Sequence, residues 1–309
     1  MYERSEFMPH YVGMVSLVGE QPIANLVPIL YFKPQYVDFI CTDRTRKIAE
    51  HSGSVLKETV GKAHFPIESE IWEVDPYDML TIETELNKLS SQRNWDPEEV
   101  IFNLTGGTKT MAISTYRIAE SLGAPFCYLI SEDRQNMIHT YRSSPTRDLQ
   151  FLGQTKASDV IDIDLYLRAH LGEYDEGSPR HPFERLVYEV LKSECDEVKT
   201  SVRPRSHGNI EIDFVVRKDS TVGIVEVKGG QQATKKRALE QIITAAEAPF
   251  LGTYTKRFLV LDREYTPDNL ELARSRRIVV IETPSAQEGK FSDEDELKLR
   301  TAIREELGI

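Results

Sequence analysis

Two groups of residues in this sequence are of the right types and spacing to do chemistry. The later group comprises Glu184 in PFERLVYEV, Asp213 in NIEIDFVV, and Glu226 and Lys228 in GIVEVKGG. Side chains alternate along a strand, so Glu226 and Lys228 share one face while Val225 and Val227 take the other. Charged residues on so apolar a strand call for partners or a task. If the segments around Asp213 and Glu226 form a hairpin, their carboxylates stand side by side and repel unless a cation lies between them. Hard oxygen ligands suit Mg²⁺ or Mn²⁺, which keep waters for a phosphodiester substrate. Such an ion lowers the pKa of a bound water and polarises the scissile phosphate. Lys228 then orients the nucleophile or offsets charge developing on the phosphoryl oxygens. Glu184, reaching in from a helix, supplies a further ligand or a bond to a metal-bound water. Gln241, on a helix expected over 235–248, is a further polar contact.

A bare Glu-x-Lys is common in charged proteins, but the full order is more specific: helix Glu, strand Asp, a gap, then Glu-x-Lys followed by Gly229–Gly230. Between residues 203 and 237 there are eight Lys/Arg against four acids, and two of those acids are the proposed ligands. That local basic balance suits a strand-binding cleft; the bland alternative is a solvated mixed-charge face. His181 and His207 flank the region and read as incidental loop histidines. No G-x-S-x-G elbow supports serine hydrolase chemistry.

The earlier group is a pair of loops. One is Ser16–Leu17–Val18–Gly19–Glu20–Gln21–Pro22, after a first apolar strand. The other is Asn103–Leu104–Thr105–Gly106–Gly107–Thr108–Lys109–Thr110, before a helix. Paired glycines let backbone approach an anion, and a helix N-terminus presents free N–H groups and a partial positive charge. Thr105 and Thr108 add hydroxyl groups, Lys109 adds a full charge, and Thr42–Asp43 after the second strand completes the rim. Thr108 separates the glycines from the lysine, so this is not a Walker A loop, nor does it match G-x-G-x-x-G. The competing reading is a strand-to-helix turn that uses glycine only for geometry.

Both groups need scaffolds, and the chain is long enough for two. Its 309 residues are roughly twice the ~150-residue modal domain. At 40% hydrophobic and 28% charged residues it can build real cores. The net charge of −12 excludes histone-like coating of nucleic acid. Cys41, Cys127 and Cys195 are too few and too scattered for a disulfide framework or a thiolate zinc site. MYERSEFMPH lacks the pattern of a signal peptide, and no run of eighteen apolar residues predicts a spanning helix, so no membrane association and a cytoplasmic location are expected.

The first half alternates strands (Tyr11–Leu17, Tyr36–Thr42, Glu70–Val74, Glu99–Leu104, Pro125–Ile130) with helices, the pattern of a doubly wound parallel sheet. A hairpin is expected near Met137–Arg142 and Leu149–Leu152, and a short helix near Leu165–His170. GEYDEGSP at 172–179 reads as a linker. Beyond it lie an amphipathic helix over Pro182–Glu194, β-rich segments around Val198–Val202, Ile210–Val216 and Val222–Val227, strands at Phe258–Leu261 and Ile278–Ile281, and a last helix capped by Ser292.

The pattern Glu184…Asp213…Glu226-Val227-Lys228 resembles the PD-(D/E)xK nuclease superfamily, with Ile212 in place of the proline of its name. SLVGEQPIAN and NLTGGTKTM resemble the CARF domain, a Rossmann-like sensor of cyclic oligoadenylates in type III CRISPR systems. Together they resemble the CARF-fused PD-(D/E)xK ancillary nucleases of the Can and Card type. That resemblance implies an α/β chain with a CARF domain at 1–145, a linker region at 146–178 and a restriction-endonuclease-like domain at 179–309. It implies a homodimer whose paired sensors hold a two-fold-symmetric cyclic tetra-adenylate, and cleavage of DNA (single- or double-stranded), RNA or both with Mn²⁺ or Mg²⁺. Residue by residue, Asp213 and Glu226 are then metal ligands, Lys228 the catalytic lysine and Glu184 a fourth member. Effector contacts fall on Ser16, Gly19, Gln21, Thr42, Asp43, Thr105, Gly106, Gly107, Thr108 and Lys109. The rival readings are a nucleotide-sensing regulator that binds nucleic acid without cutting it, and a constitutive repair or restriction nuclease.

Overall fold

The structure is a computed structural model that describes residues 10–58, 67–132, 135–143, 148–157, 160–205, 211–219, 221–230, 239, 242–243, 251 and 255–308. The chain divides into two units, Met1–Ile161 and Asp162–Ile309. In the first, β1 (Gly13–Leu17), α1 (Ile23–Phe32), β2 (Tyr36–Cys41), α2 (Arg46–Lys57), β3 (Glu68–Glu73), α3 (Met79–Arg93), β4 (Val100–Asn103), α4 (Lys109–Leu122) and β5 (Pro125–Glu132) alternate as the periodicity predicts. The strands β6 (Gln135–Ser143) and β7 (Leu149–Lys156) follow. The sheet runs β3-β2-β1-β4-β5-β6-β7. Its first five members are parallel and the last two antiparallel.

Strands β1 and β4 are buried along their whole length, as covered parallel strands must be. Val15, Leu17, Phe102 and Leu104 pack with Met111 and Ile118 of α4 and Ile82, Leu86 and Leu89 of α3. Thr108 caps α4 by accepting the Met111 N–H, and Gly123 ends it at φ 70°. Strand order reverses between β1 and β4, so the loops after these two strands open side by side at the carboxyl edge of the sheet, where such sheets take ligands.

The second unit contains α5 (Ile163–Leu171), β8 (Tyr174–Asp175), α6 (Pro182–Glu194), β9 (Glu197–Pro204), β10 (Ile212–Lys218), β11 (Thr221–Lys228), β12 (Lys256–Leu261), α7 (Pro267–Ser275), β13 (Val279–Glu282) and α8 (Asp293–Leu307). Its sheet runs β13-β12-β11-β10-β9-β8. The pairs from β8 to β11 are antiparallel, and β11–β12 and β12–β13 are parallel. Phe214, Val216, Val225 and Val227 point to one face, where Phe183, Val187 and Leu191 of α6 and Leu299, Ile303 and Leu307 of α8 cover them. Buried Glu194 fastens the two helices, taking Arg304 Nε at 2.6 Å as well as Arg300. Ser292 caps α8 by accepting the Asp295 N–H.

The stretch 146–178, expected as a linker, carries three regular elements among its described residues. β7 extends the first sheet, α5 belongs to the second unit, and β8, inside the GEYDEGSP segment, pairs with β9. β7 begins with the residues of the expected hairpin near Leu149–Leu152 and, as an edge strand, leaves Leu149, Phe151 and Leu152 exposed. The expected helix over 235–248, with Gln241, Lys235, Lys236 and Arg237, lies outside the described residues save Leu239, Ile242 and Ile243, as does His207. No helix among the described residues is long and apolar enough to cross a membrane.

Candidate functional site

Antiparallel pairing of β10 with β11 sets Phe214 opposite Val225. One step further along that register, Asp213 faces Glu226 on the side of the sheet away from α6 and α8. Both carboxylates meet the Lys228 side chain. Its Nζ lies 3.4 Å from Asp213 Oδ2 and in direct contact with Glu226 Oε1. Asp213 Oδ2 also accepts the Val227 N–H at 2.8 Å, so the backbone of the Glu-x-Lys segment itself aims this carboxylate. The structure therefore brings Asp213, Glu226 and Lys228 into one cluster.

The electrostatics follow from depth. Glu226 is 4% exposed, and burial followed by the neighbouring Asp213 charge drives its carboxyl well above the ordinary range, against the pull of Lys228. Burial likewise raises Asp213, opposed by Lys228 and the Val227 N–H and reinforced by the Glu184 charge. Burial alone would lower the Lys228 ammonium, but Glu226 and then Asp213 outweigh it and hold Lys228 above its usual value. The cluster is thus one positive group shared by two carboxylates that resist ionising together.

Glu184 stands at the start of α6, where Oε2 accepts the backbone N–H of Arg180 at 2.7 Å and of His181 at 3.2 Å. It caps its own helix, and its influence on the cluster is the electrostatic one felt at Asp213. Two buried carboxylates that share the ammonium of Lys228 form a donor set that fits a hard divalent cation. Among the described residues no group of three or more His, Cys, Asp or Glu side chains gathers as a full ligand set. Water or substrate oxygens would complete the shell, as Mg²⁺ prefers.

In the first unit the two loops touch. A Cβ at Gly106 would lie 2.1 Å from the Leu17 carbonyl oxygen and 2.9 Å from the Gly19 nitrogen, so only glycine lets β1 and β4 deliver their loops so closely. Gly107 takes φ +73°, the left-handed region. Beneath this turn lies a hydrogen-bond network that the sequence reading missed. Asn25 Nδ2 and Asn103 Nδ2 both donate to Ser16 Oγ, at 2.8 and 2.9 Å, and Asn103 Oδ1 accepts from the Thr105 N–H and hydroxyl. An asparagine ending a buried strand was the available signal.

This network redistributes the expected effector residues. Ser16, expected as a contact, is wholly buried and engaged by Asn25 and Asn103. Thr42 is likewise buried, its hydroxyl capping the short turn Asp43–Thr45. The Thr105 hydroxyl serves Asn103 and the Leu129 N–H, and the Thr108 hydroxyl donates to the Pro76 carbonyl. What faces outward is Gly107, Lys109 and Asp43, with Gly19, Gln21 and Gly106 partly exposed. The first N–H groups of α4 have no intrahelical acceptor.

Residues 14–155 match the family model of the Card1 CARF domain, from within β1 to the end of β7. No curated protein matches the chain in sequence. Among solved structures, Can2 from Sulfobacillus thermosulfidooxidans in complex with cyclic tetra-adenylate superposes with a TM-score of 0.70 at 14% identity, over 96% of this chain and 97% of that one. Protein VC1899 from Vibrio cholerae gives 0.72 at 13% identity, over 96% and 99%. A type III CRISPR defence DNA nuclease activated by cyclic oligoadenylate gives 0.55 at 14% identity, over 83% of this chain and 46% of that one. At these identities the likeness is one of fold, and it runs through both units.

Proposed function

We propose that this protein is a nuclease of type III CRISPR defence, switched on by a cyclic oligoadenylate, cyclic tetra-adenylate in particular, and dependent on Mn²⁺ or Mg²⁺. The observation that carries the reading is the convergence of Asp213, Glu226 and Lys228 in a chain whose first unit matches a CARF family model. A protein that merely bound nucleic acid would gain nothing from two buried carboxylates where phosphates must approach.

On this reading Asp213 and Glu226 hold the divalent ion, which supplies Lewis-acid polarisation of the phosphate and an activated water when bound. Lys228 remains charged and presents its ammonium to the oxygens on which negative charge grows. Asp213 is kept in place by the Val227 N–H. The remaining oxygen of Glu184 is the one to reach a water near the ion, since Oε2 is committed to the helix cap. In the first unit the α4 N-terminus, Gly106, Gly107 and Lys109 receive activator phosphates, with Gly19, Gln21 and Asp43 on the rim. Ser16, Thr42, Thr105 and Thr108 hold the turn in shape behind them.

The activator's two-fold symmetry calls for a homodimer. Exposed Tyr77, Leu80, Ile113 and Tyr128 flank the turn and provide apolar surface for the second copy. Activation requires that the ligand bind the active arrangement more tightly than the inactive one. The deciding experiment measures cleavage of single-stranded DNA, plasmid and RNA with and without cyclic tetra-adenylate, in Mn²⁺ and in EDTA. Activator-dependent, chelator-sensitive cleavage supports the reading. Absence of cleavage in every condition favours a regulator, and equal cleavage without activator favours a constitutive enzyme.

A further inference from the structure

Lys228 is the last residue of β11, and the chain leaves the sheet through Gly229 and Gly230. Two successive glycines have the widest backbone freedom of any pair, and Gly230 uses it, at φ +62°. A lysine on so loose a turn would wander unless something fixed the turn. The neighbouring strand β12 ends at Leu261, and the next residue, Asp262, is 8% exposed. Asp262 Oδ2 accepts the Gly230 N–H at 2.7 Å, and the Asp262 N–H points to the Lys228 carbonyl at 3.4 Å. A Cβ on Gly229 would lie 3.0 Å from Asp262 Oδ2 and 3.5 Å from Phe183, the residue before Glu184. The clamp is itself held: Arg263 Nε donates to Asp262 Oδ1 at 2.8 Å, and Gln287 Nε2 to the Asp262 carbonyl at 2.7 Å. A buried carboxylate needs a reason, and its hydrogen bonds supply one.

We propose that Asp262 is the positioning residue for Lys228, locking the Gly229–Gly230 turn so that the ammonium stays on Asp213 and Glu226. The proposal rests on the nuclease reading for its effect on rate, but not for its effect on the lysine. Two measurements on the full chain therefore test it. In the activator-dependent cleavage assay with Mn²⁺, Asp262→Ala is expected to lower kcat roughly 10-fold, the scale of losing an outer partner of a metal-site group, with KM and activator affinity unchanged. Asp262→Asn, whose amide oxygen still accepts from Gly230, is expected to recover most of that loss. The second measurement uses no cleavage: reductive methylation with isotopic label, followed by NMR at one fixed pH of the Lys228 methyl shift and linewidth, which report where the side chain sits. In Asp262→Ala that signal moves toward those of the exposed lysines; in Asp262→Asn it stays near the wild-type position.

A Lys228 signal unmoved in Asp262→Ala overturns the proposal, and so does an Asn variant as impaired as Ala. Should Asp262→Ala fail to fold, Arg263→Gln loosens the carboxylate instead, and an unmoved Lys228 signal there is equally decisive. A wild type that never cleaves sinks the nuclease reading alone, because the NMR comparison still decides whether Asp262 places the lysine.

Discussion

On the proposed reading the two units handle phosphate in opposite ways. In the first, most polar side chains near the turn are turned inward, Ser16 and Asn103 to each other and Thr105 to Asn103. What remains for a ligand is backbone, glycine and Lys109, with Gln21 and Asp43 on the rim. In the second, the charged side chains are themselves the buried feature, and their mutual repulsion is relieved by one lysine. A site made of backbone dipoles is fixed by sterics and indifferent to pH across the physiological range. A site made of buried carboxylates is set by protonation and by whatever cation it holds. The contrast predicts that the two sites fail separately and respond differently to solution conditions.

The largest separation should come from Glu226→Ala. Removing a direct carboxylate is expected to cost more than the roughly 10–100-fold typical of an outer partner, while cyclic tetra-adenylate binds as in wild type. Cleavage rates alongside calorimetric titration of the activator measure both halves; cleavage at the wild-type rate would remove the acid cluster from the chemistry. Next in size is the mirror experiment. Lys109→Ala is expected to weaken the activator about tenfold, the scale of one charge-assisted phosphate contact, and to leave Mn²⁺ affinity unaltered. An unchanged activator affinity would move the phosphates off the start of α4.

Solution pH should divide the units next. Glu226 and Asp213 have carboxyls raised above their unfolded values by burial. The folded state therefore holds more protons than the unfolded one between the ordinary carboxyl range and the raised pKa, and stability of the metal-free protein declines as pH rises through that window. Metal uptake displaces those protons, so Mn²⁺ affinity is expected to rise by up to about tenfold per pH unit over the same window. Activator affinity should stay flat. Titrations of both ligands across the window check this, and a pH-independent Mn²⁺ affinity would mean that the carboxyls are already ionised.

These experiments probe features of unequal legibility. Alternation and periodicity exposed the alternating strands and helices of the first unit and the Glu226–Lys228 face, because both depend on local spacing. The burial of Ser16 is not legible: β1 is covered on both faces, so nothing in its pattern says where its hydroxyl points. The Asn25–Ser16–Asn103 network and the Asp262 clamp join residues brought together by sheet order alone. The hairpin strand at Leu149–Leu152 is legible, but the extent of β7 to Lys156 is not, because Gly153–Lys156 carry no apolar residue.

The smallest expected effect is also the sharpest test of the comparison. Glu184 was read as a catalytic carboxylate, yet its Oε2 takes the N–H groups that begin α6. Glu184→Gln preserves that cap, since an amide oxygen accepts as a carboxylate does, and it removes the charge that helps raise Asp213. If capping and charge are its contributions, the variant should melt within about 1 °C of wild type and cleave a few-fold more slowly, because a neutral amide can still hydrogen-bond a water. Asp213 would also ionise more readily, but the same lost charge no longer attracts the cation, so Mn²⁺ weakens only slightly. Were Glu184 instead a direct ligand, the same variant would match Glu226→Ala in its loss of cleavage and would weaken Mn²⁺ as strongly as that variant does. The size of the Mn²⁺ effect thus decides whether the second site is built from two carboxylates or three, without reference to the rate.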